Sequence, residues 1–240
     1  MKKNIIKFFG LHSNSVNRDN WVINELSSLE PGSKIIDVGA GEQKYKSYCE
    51  HLDYVSQDFC QYDGKGNHGL QTGNWNVKDI NIVSDILNIP VENDFFDCVL
   101  CTEVLEHVPD PELVIREINR ICKLGGTILL TAPFASKYHF APFFYSTGFS
   151  KYWYQFHLSK NGFLINSTQF NGSFSNTLIS DLFIFAKLCD NRIIRYMLFL
   201  TSVITSTLIL LSKSKGSSDE LSTYGYFVKA KKMTNIKNDA

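Results

Sequence analysis

Neither sign of charge prevails in this sequence: 24 Lys and Arg stand against 24 Asp and Glu, for a formal net charge of zero. That argues against a nucleic-acid binder whose affinity rests on a strong basic field, while leaving room for a local patch. A secretory leader is also missing, since Met1 to Gly10 holds only a short apolar stretch broken by Lys7. The six cysteines (Cys49, Cys60, Cys98, Cys101, Cys122 and Cys189) are scattered and make no disulfide framework. A reducing cytoplasm fits that usage. Cys98 and Cys101 form a Cys-x-x-Cys string, yet on a strand positions three apart face opposite sides, so they read as core residues. No internal repeat is present.

What is there suffices for one sizeable core. Hydrophobic residues make up 44% and charged residues 20% of 240 positions, the balance of a folded globular chain. Residues 1–30 read as a helical region, with Trp21, Val22, Leu26 and Leu29 near helical spacing, and Pro31-Gly32 as a break. Strands are expected over Lys34–Val38, Tyr54–Gln57, Ile80–Ser84, Phe96–Cys101 and Thr127–Thr131, with a helix from about Gln43 to Cys49. Asp110-Pro111 opens a further helix as N-cap and first-turn proline. Val114, Ile115, Ile118, Ile121 and Cys122 give that helix one apolar face, and Gly125-Gly126 ends it. Beyond Pro133, a helix over Ser150–Lys160, a strand over Phe163–Phe170, an apolar helical stretch over Thr177–Leu211 and a last strand over Thr223–Lys231 are expected.

Alternation of strand and helix implies a parallel sheet with right-handed crossovers. In such sheets a ligand sits beyond the carboxyl ends of the strands. Gly39 to Gly41, Asp58, Asp85 and Glu103 all fall at or just past expected strand ends. That convergence is the main argument for a binding site, because it uses spacing over roughly 70 residues instead of one motif.

Each piece has an ordinary alternative. Ile35 to Glu42 is a strand entering a glycine turn, where bare backbone can approach a ligand or simply turn into a helix. A dinucleotide site would want a third glycine at position 44, which is Lys44. Asp58, 17 residues after Gly41, could accept from both ribose hydroxyls or be a solvated strand-end acid. Asp85 could take an exocyclic amine while Ile86 packs on a purine, or it could cap a helix. Glu103, Glu106 and His107 could share a helical face and ligate a divalent metal. No fourth ligand is identifiable, so no metal site is assigned; Glu103 is expected to face a cofactor, with Glu106 and His107 structural.

Ile36-Asp37-Val38-Gly39-Ala40-Gly41, then Asp58, then Asp85 to Pro90 with Phe96-Asp97, then Glu103 to Val108, then Leu124-Gly125-Gly126, resembles the class I S-adenosylmethionine (SAM)-dependent methyltransferases. Within them it is most similar to the bacterial small-molecule branch (methyltransferase type 11-like), whose fourth strand ends in a Glu-x-x-Glu-His-Val string. The resemblance covers residues 34–133, and Tyr224 to Lys232 resembles that branch's final strand. It implies a Rossmann-like α/β fold: a seven-stranded, mostly parallel sheet with helices on both faces and an apolar helical insertion before the last strand. The implied organisation is a single domain over 1–240, with a helical cap (1–30), a SAM-binding core (34–133), an acceptor-side segment (134–170), the insertion (177–212) and the final strand (223–231). Asp37, Gly39 and Gly41 would hold the methionine end of SAM, Asp58 the ribose, and Asp85 with Ile86 the adenine. Glu103 would lie near the methionine portion or the acceptor channel. Gln43 departs from the pattern, standing where many relatives have a further small residue.

Methyl transfer from a sulfonium is an in-line displacement served mostly by alignment. A general base is needed only for a hydroxyl or a protonated amine. His107, His139 and His157 are the candidates for that base, with Tyr138 and Tyr145 as possible positioners. The aromatic run Tyr138 to Phe149 is similar to acceptor-lid segments of some relatives. The expected acceptor is a small molecule, a sugar or a lipid- or glycan-linked intermediate, methylated on O or N; no nucleic-acid partner is expected, since no Asn-Pro-Pro-Tyr or Cys-Pro string occurs. The alternative is an inactive methyltransferase-like binding or membrane-associated partner; a nicotinamide-dependent oxidoreductase is disfavoured by Lys44.

Tyr196 to Leu211 runs 16 residues without a charge, ~24 Å as a helix, short of a bilayer core of about 30 Å. Arg192 and Arg195 precede it, and Lys213 and Lys215 follow. A helix over 193–211 lying in the surface of a membrane, at its cytoplasmic inner face, or buried against a partner is therefore expected, with a purely internal helix as the alternative. Acceptor identity and oligomeric state are left open.

Overall fold

The computed structural model describes residues 13–65, 69–70, 73–212 and 218–236. The first twelve residues of the expected N-terminal cap lie outside the described residues. Seven strands form one sheet in the order β3-β2-β1-β4-β5-β7-β6: β1 (Lys34–Val38), β2 (Asp53–Asp58), β3 (Ile82–Val83), β4 (Phe96–Thr102), β5 (Cys122–Pro133), β6 (Phe163–Asn171) and β7 (Gly225–Lys232). β1 runs parallel to β2 and β4, β3 parallel to β2, and β5 parallel to β4, whereas β7 is antiparallel to β5. The central strands are apolar on both faces: Ile35, Ile36, Val38, Val99, Leu100, Leu129 and Leu130 are fully buried. Helices cover each face of such a sheet, which explains continuous apolar runs in place of alternation.

Strand order reverses beside β1, where β2 and β3 lie to one side and β4 and β5 to the other. A crevice opens at that switch point, at the carboxyl ends of the strands. The register fixes what meets there. Val38 pairs with Gln57 and Cys101, Asp58 pairs with Val83, and Thr102 pairs with Thr131. Gly39, Asp58, Asp85 and Glu103 thus gather at one edge of the sheet.

The helices form where the side chains favour them. In α1 (Ser13–Ser27) Trp21, Val22 and Leu26 are buried in a core with Ile35, Tyr45, Cys98, Leu100 and Phe227. Trp21 stacks on Phe227 with centroids 5.2 Å apart. The Asp110 side chain accepts the Leu113 amide and caps α2 (Pro111–Ile121), whose Val114, Ile115, Ile118 and Ile121 are wholly buried. Ser150 caps α3 (Lys151–Lys160) by accepting from the Trp153 amide. At the far end of β7, the fully buried Lys232 ammonium donates to Asp94 Oδ1 and to the carbonyls of Asn119 and Cys122, at 2.6–2.8 Å.

Four expectations change in detail. The helix expected over 43–49 is a turn followed by a single 3-10 turn, Lys46–Tyr48. Gln43 has φ +54°, a left-handed conformation that breaks helical continuation. The third strand is two residues long instead of five. β5 begins at Cys122, before the two glycines, with a register shift against β4 between Phe96 and Cys98. The apolar stretch is two helices, α4 (Phe174–Leu188) and α5 (Arg192–Leu211). The Asn191 side chain accepts the amides of Ile193 and Ile194, starting a new helix where one was expected to continue. A short helix, α6 (Ser218–Leu221), precedes β7.

The chain divides into two compact units. One comprises Asn20–Gln169 with the segment from Gly225 onward, and contains nearly all of the sheet. The other joins the residues up to Asp19 with Phe170–Tyr224. In it Asn171 bonds Asn14 and Asn17, and α4 pairs with α5.

Candidate functional site

The glycine turn after β1 is tied to β2 by three hydrogen bonds. The Gly39 amide donates to Gln57 Oε1 (3.2 Å), the Ala40 amide to the Gln57 carbonyl (2.9 Å), and the Gly41 amide to Asp58 Oδ2 (2.9 Å). Gly39 and Gly41 both have positive φ, +69° and +51°. A Cβ at Gly39 would meet Val104 at 2.5 Å, and one at Gly41 would meet the Trp75 ring at 2.5 Å. No side chain fits either position: Val104 packs against Gly39 and the Trp75 ring against Gly41.

Asp58 is buried, and its other oxygen accepts the Cys60 amide at 2.8 Å. Two backbone bonds orient the carboxylate and leave further acceptor capacity on both oxygens. Gln57, also buried, donates to the Ser84 carbonyl at 2.8 Å, bringing the end of β3 and hence Asp85 beside it. Asp85 is exposed and one of its oxygens takes the Leu87 amide, while Ile86 is buried. These groups could hold SAM: amides of a glycine turn, an anchored acid at the β2 end that could accept from ribose hydroxyls, and an acid beside an apolar side chain at the β3 end that could take an adenine.

Asp37 lies within β1 beneath the turn, 2% exposed, and accepts from the Tyr54 hydroxyl at 2.9 Å. Burial drives its carboxyl up to about 7, the Tyr54 bond opposes that rise, and the Asp58 charge adds to it. A cationic amine brought against it would favour the ionised form.

Two loops close over the strand ends. In the loop between β2 and β3, Asn76 and Lys78 are tied to the glycine turn: Glu42 Oε1 accepts the Asn76 amide and Gln43 Nε2 donates to the Lys78 carbonyl. The same loop pairs with the segment after β5 through a bridge between Leu70 and His139, with Leu70 donating to the Tyr138 carbonyl at 2.9 Å. Aromatic rings fill the junction. Phe140 stacks on Tyr62 (4.2 Å) and on His107 (4.8 Å), and Trp75 meets it edge-on at 5.1 Å. A continuous ring contact therefore runs from the glycine turn to His107.

Glu103 leaves β4 with φ +54°, and its carboxylate accepts from the Thr131 hydroxyl at 3.0 Å. Glu106 is fully buried, in a 3-10 turn (Leu105–His107). His107 Nδ1 lies 2.6 Å from the Phe143 carbonyl. A carbonyl only accepts, so Nδ1 carries the proton and Nε2 is left as the basic nitrogen. Burial lowers the His107 pKa to about 4; the Phe143 bond counters this and the His139 ring reinforces it. His139 sits edge-on to His107 at 4.8 Å. Ligand atoms of Glu106, His107 and His139 lie within 4.8 Å of one another, a set whose donors could hold a divalent cation. In that set His139 takes the place that the sequence reading gave to Glu103.

His157 is placed elsewhere. Its Nδ1 is 3.4 Å from Glu112 Oε2 and its ring lies 4.5 Å from Trp153, so it joins α3 to α2. Lys160 and Arg116 also bond Glu112 and hold its carboxyl down at about 2. Tyr138 and Tyr145 are exposed. Trp75, Tyr62 and Gln57 were not singled out from sequence, and Phe140 only as part of the aromatic run Tyr138 to Phe149; the detectable signal was aromatics, Tyr62 and Trp75, in an otherwise polar loop. All six cysteines are free thiols, with Cys98 and Cys101 buried on β4, where burial drives both thiols up.

Residues 36–130 match the family model of a methyltransferase domain. A ubiquinone biosynthesis O-methyltransferase of Pseudomonas aeruginosa is 31% identical over 133 residues, covering 52% of this chain and 54% of that protein. The chain thus spans about half the length of the curated relatives it matches. Among solved structures, a Bacillus halodurans protein described as a candidate methyltransferase aligns over 90% of this chain and 100% of its own, with TM-score 0.54 and 17% identity. A phosphoethanolamine N-methyltransferase of Haemonchus contortus, solved in complex with SAM, aligns over 91% of this chain and 53% of its own, with TM-score 0.52 and 16% identity. Residues 36–130 are thus similar to a methyltransferase domain, and the sheet order with a glycine turn at its switch point is the fold that the chain shares with these solved methyltransferases.

Proposed function

We propose that the chain transfers a methyl group from SAM to a hydroxyl of a small-molecule acceptor seated among Trp75, Tyr62, Phe140 and His107. The observation that carries this reading is His107: a neutral imidazole, its Nδ1 proton held by Phe143, its Nε2 3.7 Å from the buried Glu106 carboxylate and its ring stacked on Phe140 in an aromatic wall that reaches the glycine turn. Bound SAM supplies a methyl on a sulfonium, transferred by in-line displacement. Asp37, Gly39 and Gly41 hold its methionine end, Asp58 its ribose, Asp85 and Ile86 its adenine, and Glu103 the boundary with the acceptor. His107 Nε2 takes the hydroxyl proton as the oxygen becomes the nucleophile. His139 orients the imidazole, and the aromatic rings exclude water and favour a planar acceptor. The relatives named for ubiquinone biosynthesis support an oxygen acceptor. A lipid-linked acceptor belongs to the same reading, reached through membrane contact at 193–211.

The test is transfer of labelled methyl from SAM to a panel of phenols, sugar hydroxyls and amines, run beside calorimetric titration with SAM. Labelled phenol or other hydroxyl product supports the reading. Label only on amines, or tight SAM binding with no turnover on any acceptor, defeats it; the second outcome favours a binding protein.

A further inference from the structure

In the α4–α5 pair, two serines of α5 are buried at the seam while most of that helix's large aliphatics are exposed. Ser202 and Ser206, one turn apart on α5, are 4% and 0% exposed. Ser202 Oγ lies 2.7 Å from the Leu198 carbonyl and 3.2 Å from the Leu182 carbonyl on α4. Beside this seam Phe183 and Phe199 meet edge-on at 5.5 Å. The opposite face of α5 carries Ile193, Met197, Leu200, Ile204, Leu208 and Leu211, all 43–74% exposed and spaced three or four apart in one stripe. Phe185 and Leu188 on α4 add exposed apolar surface at 65% and 69%.

A helix pair in water buries its large aliphatics and exposes its hydroxyls. Small residues at the seam with aliphatics outside suit helices whose surroundings are lipid. A patch of this kind on a folded chain marks an interaction surface. The topology decides how lipid could be met. β6 enters the hairpin and β7 follows it, and both lie in one sheet, so chain entry and exit share one side. α5 reaches ~30 Å as a 20-residue helix but α4 only ~22 Å. The pair therefore lies in the interface and does not cross twice. Charge selects the surface: between 187 and 215 stand Lys187, Arg192, Arg195, Lys213 and Lys215 against Asp190 alone, a local charge of +4 in a neutral chain.

We propose that the α4–α5 hairpin docks in the plane of an anionic lipid surface, with the Ile193–Leu211 stripe in the acyl boundary and Arg192 and Arg195 among the phosphates. The inference deepens the membrane contact proposed above and does not depend on the methyl-transfer reading.

The test is flotation of the full chain with phosphatidylcholine vesicles, with and without phosphatidylglycerol. The chain should float with the anionic vesicles and less with neutral ones. Ile204→Asp with Leu208→Asp should abolish flotation. Arg192→Ser with Arg195→Ser should weaken it by roughly tenfold to thirtyfold at low salt. Circular dichroism and a SAM titration on each variant check that the fold and cofactor site persist, so failure of docking and failure of the methyltransferase reading separate. A folded, SAM-binding chain that stays wholly unbound overturns the inference. So does a soluble dimer that the Asp pair converts to monomer, which would make a second copy the occupant of the stripe.

Discussion

The Gly41 amide donates to Asp58 Oδ2 at 2.9 Å, so the first strand's turn and the second strand's terminal acid are one unit. Asp58→Ala should therefore lose more than ribose contacts. Each hydrogen bond to a charged acceptor is worth roughly 1.5–3 kcal/mol. A SAM affinity loss of about two orders of magnitude is expected on titration calorimetry. Asp58→Asn, which can still accept the Gly41 amide through its carbonyl oxygen, should fall between the two. An affinity unchanged in both variants would remove Asp58 from the cofactor site.

Gly41 and Trp75 are in steric competition. Gly41→Ala places a Cβ 2.5 Å from the indole at φ +51°. Overlap and left-handed strain should together cost on the order of 2–3 kcal/mol in stability by urea titration. In a Trp75→Ala background the overlap is gone, and Gly41→Ala should add only the backbone strain of about 1 kcal/mol to the cost of Trp75→Ala. Strict additivity of the two variants would show that the indole does not rest on the turn.

Asp37 has opposite consequences for folding and for function. Its folded carboxyl titrates near 7 instead of 3.8 because it is buried. Between these values the folded chain holds the proton and the unfolded chain does not, so stability is retained at low pH and lost as pH rises through about 7. Asp37→Asn removes that loss. At pH 8 the variant should be more stable than the parent by a few kcal/mol, at about 1.4 kcal/mol per pKa unit, and no different at pH 4. Its SAM affinity should fall, and the parent's should rise with pH through 7, as the carboxylate becomes available to the methionine amine. Equal stability at both pH values would contradict the buried titration.

Short-range patterns were legible in the sequence and long-range closures were not. That Gly39, Gly41, Asp58, Asp85 and Glu103 gather at one edge was legible because a parallel sheet puts every strand's carboxyl end there. The α2 face and its Asp110 cap were legible because capping and 3.6-residue periodicity need only neighbours. The helix over 43–49 was misread because an apolar Tyr45 and Cys49 look helical while φ +54° at Gln43 forbids it. His139 could not be assigned to Glu106 and His107, because the bridge between Leu70 and His139 that carries it there joins two loops about 70 residues apart. Trp75 reaches the glycine turn by the same kind of tertiary closure. Thr201, Ser202, Thr205 and Ser206 make a polar stripe at helical spacing in the sequence, but the stripe does not say that Ser202 and Ser206 are the members buried against α4.

His107 should be essential for turnover and dispensable for cofactor binding. Asn at this position can still donate to the Phe143 carbonyl but offers no basic nitrogen. His107→Asn should reduce kcat by about two to three orders of magnitude, the usual range for a general base, with the SAM dissociation constant unchanged. The pH behaviour separates this role from a structural one. Burial holds the folded imidazole near 4, below its ordinary 6.5. In that interval the unfolded chain binds the proton and the folded chain does not, so the parent's stability should fall as pH drops from about 6.5 to 4. The His107→Asn variant should lack that acid limb, which is worth about 3 kcal/mol. A variant with full turnover but a missing acid limb would make His107 a buried packing residue and shift the search for the base to His139.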